Sequence, residues 1–292
     1  MNLKKAVAFM LIACALSAPM FAIIKQAIGF AGTMPTLLVH FLFAGIFTGL
    51  FALRVPKTQR KVQKKGLFSL RAVFWLMTTV GIFSSTGVMP VVHVSLLLNT
   101  APLFVPLISL VFLKERLSLP LVASICIGFF GVFLFLQPIG TISLFGAALG
   151  LIAAFASAAS MVLTRELVKH NHPLVLSFFL FAIGAGFMLV LLPWAFGAIS
   201  LKLLSYGLAS GLLFAVELYF FTIAFKYAPA SWLGPFNYAG VLVSALVSYI
   251  TVGHTPSMLG WMGITLVTLG GSLTFLIPSF QQRLFKLLKL EK

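Results

Sequence analysis

Residues 119–136 read LPLVASICIGFFGVFLFL, with no charged residue between Leu119 and Leu136. A helix needs roughly 20 mainly apolar residues to cross a bilayer, and this run meets that requirement. Nine further segments of the chain do so as well. In order the spans are Ala6–Ile24, Pro35–Leu53, Ala72–Met89, Val94–Leu113, Leu119–Leu136, Ser143–Leu163, Leu174–Phe196, Leu203–Phe225, Ala230–Thr251 and Ser257–Ile277. Composition agrees with the count. Apolar residues make up 61% of the chain and charged residues 8%, against roughly 25% charged in a soluble domain. There are 31 Phe and no Asp. A bilayer accommodates that much apolar surface because lipid is then the solvent. The expected fold class is an all-α integral membrane protein of ten transmembrane helices.

The formal net charge is +16. The basic residues stand between apolar runs, which excludes a nucleic-acid-binding face and points to the positive-inside rule. With the N-terminus in the cytoplasm, every Lys and Arg except Lys25 and Lys202 falls on the inner side. Arg71 is counted there with the basic loop. Inverting the chain reverses the bias, so both termini are expected in the cytoplasm of a cell inner membrane. Trp75 and Trp232 then fall near inner helix ends, and Trp194 and Trp261 near outer ends, where indoles prefer to sit. Cys14 and Cys126 both lie inside apolar runs, so no disulfide framework is expected. Lys4, Lys5 and the apolar run to Ala15-Leu16-Ser17-Ala18 have the pattern of a signal peptide. The repeat described next favours an uncleaved first helix instead.

Leu11-Ile12-Ala13 matches Leu151-Ile152-Ala153, Ser17 matches Ser157 at the same offset, and Lys25 matches Arg165. Near the ends of the halves, Leu113–Ser118 faces Val252–Ser257, and Gly131 lands on Gly270. Each half holds five spans, and an odd number inverts the second half in the membrane. Inverted repeats mark alternating-access carriers with a midplane site. The expected division is 1–138, 139–279, and a basic tail at 280–292. The tail interleaves Leu284, Phe285, Leu287 and Leu288 with Lys286 and Lys289, which suits an interfacial helix or a disordered end.

Two stretches carry a family resemblance. Leu96-Leu97-Leu98-Asn99-Thr100-Ala101-Pro102-Leu103-Phe104, then Leu113-Lys114-Glu115-Arg116-Leu117 and Gly128 and Gly131, resembles the first EamA domain of the drug/metabolite transporter superfamily. Pro235-Phe236-Asn237-Tyr238, then Val252-Gly253-His254-Thr255-Pro256 and Gly270-Gly271, resembles the second. The resemblance spans nearly the whole chain. It implies ten helices as two five-helix repeats, cytoplasmic termini, and transport of small metabolites, often export. Members move amino acids, amines, S-adenosylmethionine or nucleotide-linked compounds.

Glu217 is the most informative residue, because it lies well inside the eighth span. A central acidic residue costs roughly 2.5–3.5 kcal/mol on insertion scales, so it is expected to face a cavity or a partner. Ser95, Asn99, Pro102, Pro106 and Ser109 share one face of the fourth span, with the prolines bending it. Asn237, Ser244, Ser248 and Thr251 make a comparable stripe on the ninth span, and Tyr238 offers an aromatic wall to a cation. His40 lies a third of the way into the second span, as a structural hydrogen-bonding residue or a contact for a carboxylate. The expected substrate contacts are Glu217, Asn99, Asn237, Tyr238 and His40. Thr78, Thr79, Ser84, Ser85 and Thr86 are expected to bond back to their own helix. Ser17, Ser157 and Ser160 read as close-packing positions first and cavity positions second, and the pairs Gly45/Gly49 and Gly146/Gly150 as small-residue contacts within the chain or between chains.

No catalytic set, metal spacing, cofactor motif or phosphate loop stands out. The expected function is a secondary transporter, an exporter or exchanger of a small polar metabolite, acting as monomer or homodimer. The alternative is an intramembrane lipid-modifying enzyme. With four acidic residues and no Asp, that alternative is poorly equipped with acid–base groups.

Overall fold

The computed structural model describes residues 3–113, 119–136, 143–191, 199–228 and 257–289, with isolated positions between 233 and 250. Ten helices are described: α1 Leu3–Ala31, α2 Thr33–Ala52, α3 Lys65–Val88, α4 Val91–Leu98, α5 Ala101–Leu113, α6 Leu119–Leu136, α7 Leu144–Leu167, α8 Pro173–Leu191, α9 Leu201–Tyr227 and α10 Met258–Lys289. Among the described residues, six are long and apolar enough to cross a membrane: α1, α2, α3, α7, α8 and α9. The expected ninth span, Ala230–Thr251, lies outside the described residues except for isolated positions.

The fourth expected span is not continuous. It breaks into α4 and α5 at Asn99 and Thr100, and side chains there bond the same carbonyls as the backbone N–H groups of Asn99 and Thr100. Asn99 Nδ2 donates to the Ser95 carbonyl at 2.8 Å, and Thr100 Oγ1 donates to the Leu97 carbonyl at 2.6 Å. Pro102 then has no N–H for a continuing helix and disfavours helical geometry at Ala101. Elsewhere serine caps set the starts. Ser143 Oγ accepts from Gly146 N at 3.1 Å, Ser200 Oγ from Leu203 N at 3.2 Å, and Ser257 Oγ from Gly260 N at 3.1 Å. The tail is helical as far as Lys289, as a continuation of α10.

Contacts sort the helix ends onto two faces. On one face the Phe9 and Tyr227 rings lie 5.7 Å apart, joining the start of α1 to the end of α9. Lys64 Nζ lies 2.6 Å from Glu166 Oε1, and Gln63 N donates to Asn171 Oδ1 at 2.6 Å. These tie the α2–α3 loop to the α7–α8 turn. Arg60 Nε donates to the Val55 carbonyl at 2.7 Å, placing a cation beside the exposed carbonyls after α2. We call this the basic face. Hydrogen bonds from Lys169 and Lys64 hold the exposed Glu166 carboxyl at about 2. Its charge therefore persists at every pH above that value, and its small surface contribution disappears only as pH falls through about 2. On the opposite face Ser85 Oγ donates to the Gly146 carbonyl at 2.8 Å, and Lys202 Nζ stands 4.8 Å from the Phe30 ring centre.

Lys25 is not in a loop. It lies inside α1 and donates to the carbonyls of Thr86 at 2.6 Å and Met89 at 2.7 Å, where a cation suits the end of α3. Arg71 also leaves the loop tally. It sits in α3 and is buried. Trp75 is buried rather than interfacial, because Phe41 and Phe181 enclose its ring at centroid distances of 5.2 and 5.6 Å. Leu50, Phe133 and Val190 are exposed on the outside, as a lipid-facing surface requires.

Helix α1 lies along α9, α3 along α7, α6 along α10, and α2 against both α8 and α9. Glycines let backbones meet. A Cβ at Gly270 would stand 2.5 Å from Gly128 N and 2.6 Å from the Ser124 carbonyl. The pairs Gly45/Gly49 and Gly146/Gly150 pack within the chain, against Phe181, Phe178, Met89 and Leu97.

Gly32 is the only residue between α1 and α2, at φ 84 and ψ 171. That conformation is essentially restricted to glycine and costs other residues about 1–3 kcal/mol. Gly32→Ala is therefore expected to lower the melting temperature of the detergent-purified protein by several degrees. An unchanged melt would show that the link relaxes without strain.

Candidate functional site

Polar residues that apolar spans carry on one face converge between helices. On α9, Phe214, Glu217 and Phe221 recur at spacings of 3 and 4 and form one wall. On α7, Ser157, Ser160 and Thr164 do the same, and their small side chains leave room opposite. Helix α3 supplies Arg71, Trp75, Thr78 and Thr79, α1 supplies Cys14, Ser17 and Phe21, and the α4–α5 break supplies Ser95, Asn99 and Pro102. Together they enclose a cavity of about 160 Å³. A cavity of roughly 150 Å³ holds one benzene ring.

Two ionisable residues of opposite sign line this space. Glu217 Oε2 is buried and has no hydrogen-bond partner among the described residues. Arg71 is 2% exposed, and its Nε and Nη1 likewise have no partner there. By helix rise, Arg71 lies about 9 Å in from the basic-face end of α3 and Glu217 about 15 Å in from that end of α9. Among the described residues the ion pairs all involve Glu166, so these two charges share a cavity without pairing.

Of the expected contacts, Glu217 and Asn99 line the cavity together. The amide of Asn99 is fixed by its bond to the Ser95 carbonyl. His40 stands one layer back. It is fully buried, its Nδ1 is 3.0 Å from Ser210 Oγ, and its ring lies 4.9 Å from Phe214 and 5.0 Å from Phe83, so it reaches the cavity through those phenyl rings. Asn237 and Tyr238 lie outside the described residues, although Gly240 lines the cavity. The side chains of Pro106 and Ser109 also lie outside them.

Thr78 and Thr79 do bond back to their own helix, at 2.8 Å to the Phe74 carbonyl and 2.9 Å to the Trp75 carbonyl, while also facing the cavity. Ser17, Ser157 and Ser160 are cavity-lining rather than simply close-packing residues. Arg71 is the residue that sequence reasoning missed. The signal was present: Arg71, Trp75, Thr78 and Ile82 fall at spacings of 4, 3 and 4, on the hydroxyl-bearing face of α3.

The sequence profile of the EamA-like transporter family matches residues 4–137 and again 144–276. A riboflavin transporter of Rhizobium johnstonii is 27% identical over 223 residues, 75% of this chain and 70% of its own. A pseudopaline exporter of Pseudomonas aeruginosa is 24% identical over 271 residues, 91% of this chain and 94% of its own. A solved crystal structure superposes with a TM-score of 0.70 at 17% identity, covering 94% of this chain and 97% of that one, which supports the fold alone.

Proposed function

The chain belongs to the EamA-like transporter family, and from that membership we propose that it is a secondary transporter moving a small polar metabolite by alternating access. It is a multi-pass membrane transporter and not an enzyme, so the lipid-modifying alternative falls away. The substrate class we favour is an amino acid, an amine or S-adenosylmethionine, exported or exchanged across an inner membrane. The basic face is then cytoplasmic, with both termini on it. Glu217 and Asn99 contact the substrate, and His40 positions Phe214 from behind; Asn237 and Tyr238, outside the described residues, are the further substrate contacts we propose.

The observation that carries this reading is Glu217 itself. Its Oε2 is buried without a hydrogen-bond partner among the described residues, at a cavity built by helices from both halves. An acidic residue kept in a membrane interior with a carboxylate oxygen unpartnered among the described residues is suited to a substrate cation or a proton. Packing supports the alternating-access part. Exchanging the halves takes α1 to α7, α2 to α8, α3 to α9 and α6 to α10. The α1–α9 contact then maps onto α3–α7, while α2–α8 and α6–α10 map onto themselves. The α2–α9 contact maps onto α3–α8, a much slighter one. That inequality is what two alternating states of an inverted repeat require, since each state is the other with the halves exchanged.

Cavity size separates the candidates. About 160 Å³ suits a molecule of roughly one ring, so an amino acid or simple amine fits as the cavity stands, while a substrate the size of riboflavin or S-adenosylmethionine requires a wider state. A radiolabelled metabolite panel on reconstituted vesicles tests the proposal. Saturable uptake of an amino acid, amine or S-adenosylmethionine is the expected result. Saturable uptake confined to riboflavin or to pseudopaline would overturn this substrate class.

A further inference from the structure

We propose that Arg71 binds a carboxylate of the transported molecule, the anion site of the cavity. The inference rests on reading that cavity as the substrate site. Arg71 is 2% exposed, yet its Nε and Nη1 meet no acceptor among the described residues. A guanidinium is charged at every accessible pH, and a buried charge is costly until it is paired. Glu217 faces the same cavity without forming that pair. A ligand acceptor is therefore the partner the site is built to receive. The planar fork of Arg matches the two oxygens of a carboxylate, giving two parallel charge-assisted bonds.

Charge narrows the ligand further. Glu217 lines the same space as the guanidinium and disfavours every further negative charge brought in. A monocarboxylate fits this balance better than a phosphate dianion. Shape narrows it again. Trp75 lies one helical turn from Arg71 on the cavity face of α3, and Phe21, Phe83 and Phe214 line the same space. The volume admits about one ring. The ligand class is thus a small aryl or heteroaryl monocarboxylate, with any amino group directed to Glu217.

Benzoate is the probe, and benzamide its neutral isostere. The full-length protein in detergent should bind benzoate roughly 10- to 100-fold more tightly than benzamide, read by thermal shift against ligand concentration at constant ionic strength. Arg71→Gln should erase that preference and Arg71→Lys should keep part of it, because the charge remains and the fork is lost. Inorganic phosphate should shift the melt no more than chloride does. Equal binding of benzoate and benzamide by the unmodified protein would overturn the proposal even if Arg71→Gln fails to fold. A benzoate preference that survives Arg71→Gln would overturn it too, and phosphate binding as tight as benzoate would overturn the carboxylate assignment. The transporter reading fails separately. Benzoate discrimination without uptake of any metabolite in vesicles leaves the anion site standing and removes the transport proposal. Uptake with no discrimination does the reverse.

Discussion

Glu217→Gln is expected to abolish substrate uptake in reconstituted vesicles while leaving membrane abundance at the unmodified level. The two halves of that expectation have different physical sources. Abundance should hold because Glu217 Oε2 makes no hydrogen bond among the described residues, so the amide loses none there. Gln is also nearly the same size, which spares the packing against Phe214 and Phe221. Uptake should fail because the substitution removes the acidic side chain from the cavity wall. A hydrogen bond to a charged group contributes about 1.5–3 kcal/mol, so a cationic substrate group would lose roughly 10- to 150-fold in affinity. If Glu217 carries the coupling proton instead, the loss appears in turnover rather than affinity, and both outcomes register as lost uptake. Unchanged uptake would remove Glu217 from the transport machinery.

Gly270→Ala is expected to be the most damaging single methyl group in the described structure. Its Cβ would stand 2.5 Å from Gly128 N, 2.6 Å from the Ser124 carbonyl oxygen and 2.7 Å from Gly128 Cα. All three are backbone atoms of α6, so no side chain can rotate out of the way. Relief requires α10 to move away from α6 along much of their shared length, and overpacking of this kind costs about 1–3 kcal/mol or more. A loss of that size lowers abundance several-fold. Gly186→Ala is the control, since a Cβ there meets nothing within 4 Å. Fluorescence-detected size exclusion after a heating series would compare them. Equal melts for the two variants would mean that the α6–α10 interface is looser than its geometry implies.

The helices were largely legible before any coordinates, because hydropathy reports burial in lipid directly. The span read at Leu119–Leu136 is helical over those residues. The basic residues likewise predicted which helix ends share a face. What escaped was anything that depends on rotation about a helix axis. Arg71 lies near the edge of its span, where a basic residue counts equally well toward a loop, and only its facing places it in the cavity. Ser157 and Ser160 are small enough for close packing, and whether such residues touch a helix or line a void depends on what stands opposite. His40 shows the converse. An ionisable residue inside a span is expected at a cavity, but His40 packs among three phenyl rings one layer behind it, with Nδ1 on Ser210 and Nε2 buried without a partner among the described residues. The α4–α5 break was hidden as well, because Asn99 reads as part of a polar stripe when its side chain and that of Thr100 add to the backbone hydrogen bonds that end α4.

The single residue joining α1 to α2 has a mechanical consequence. One glycine allows no slack, so the two helices are pinned together at the face opposite the basic loops. The α2–α3 connection on the basic face spans residues 53–64 and has length to spare. Helix α1 is then a lever about 43 Å long with its fulcrum at Gly32. A swing of about 10° would carry its free end, near Phe9 and Tyr227, through roughly 7 Å, while Ser17 near its middle would move half as far. Such a swing would open a wedge toward the basic face and barely disturb the pinned end, so a small rotation at the cavity would become a passage on one side only.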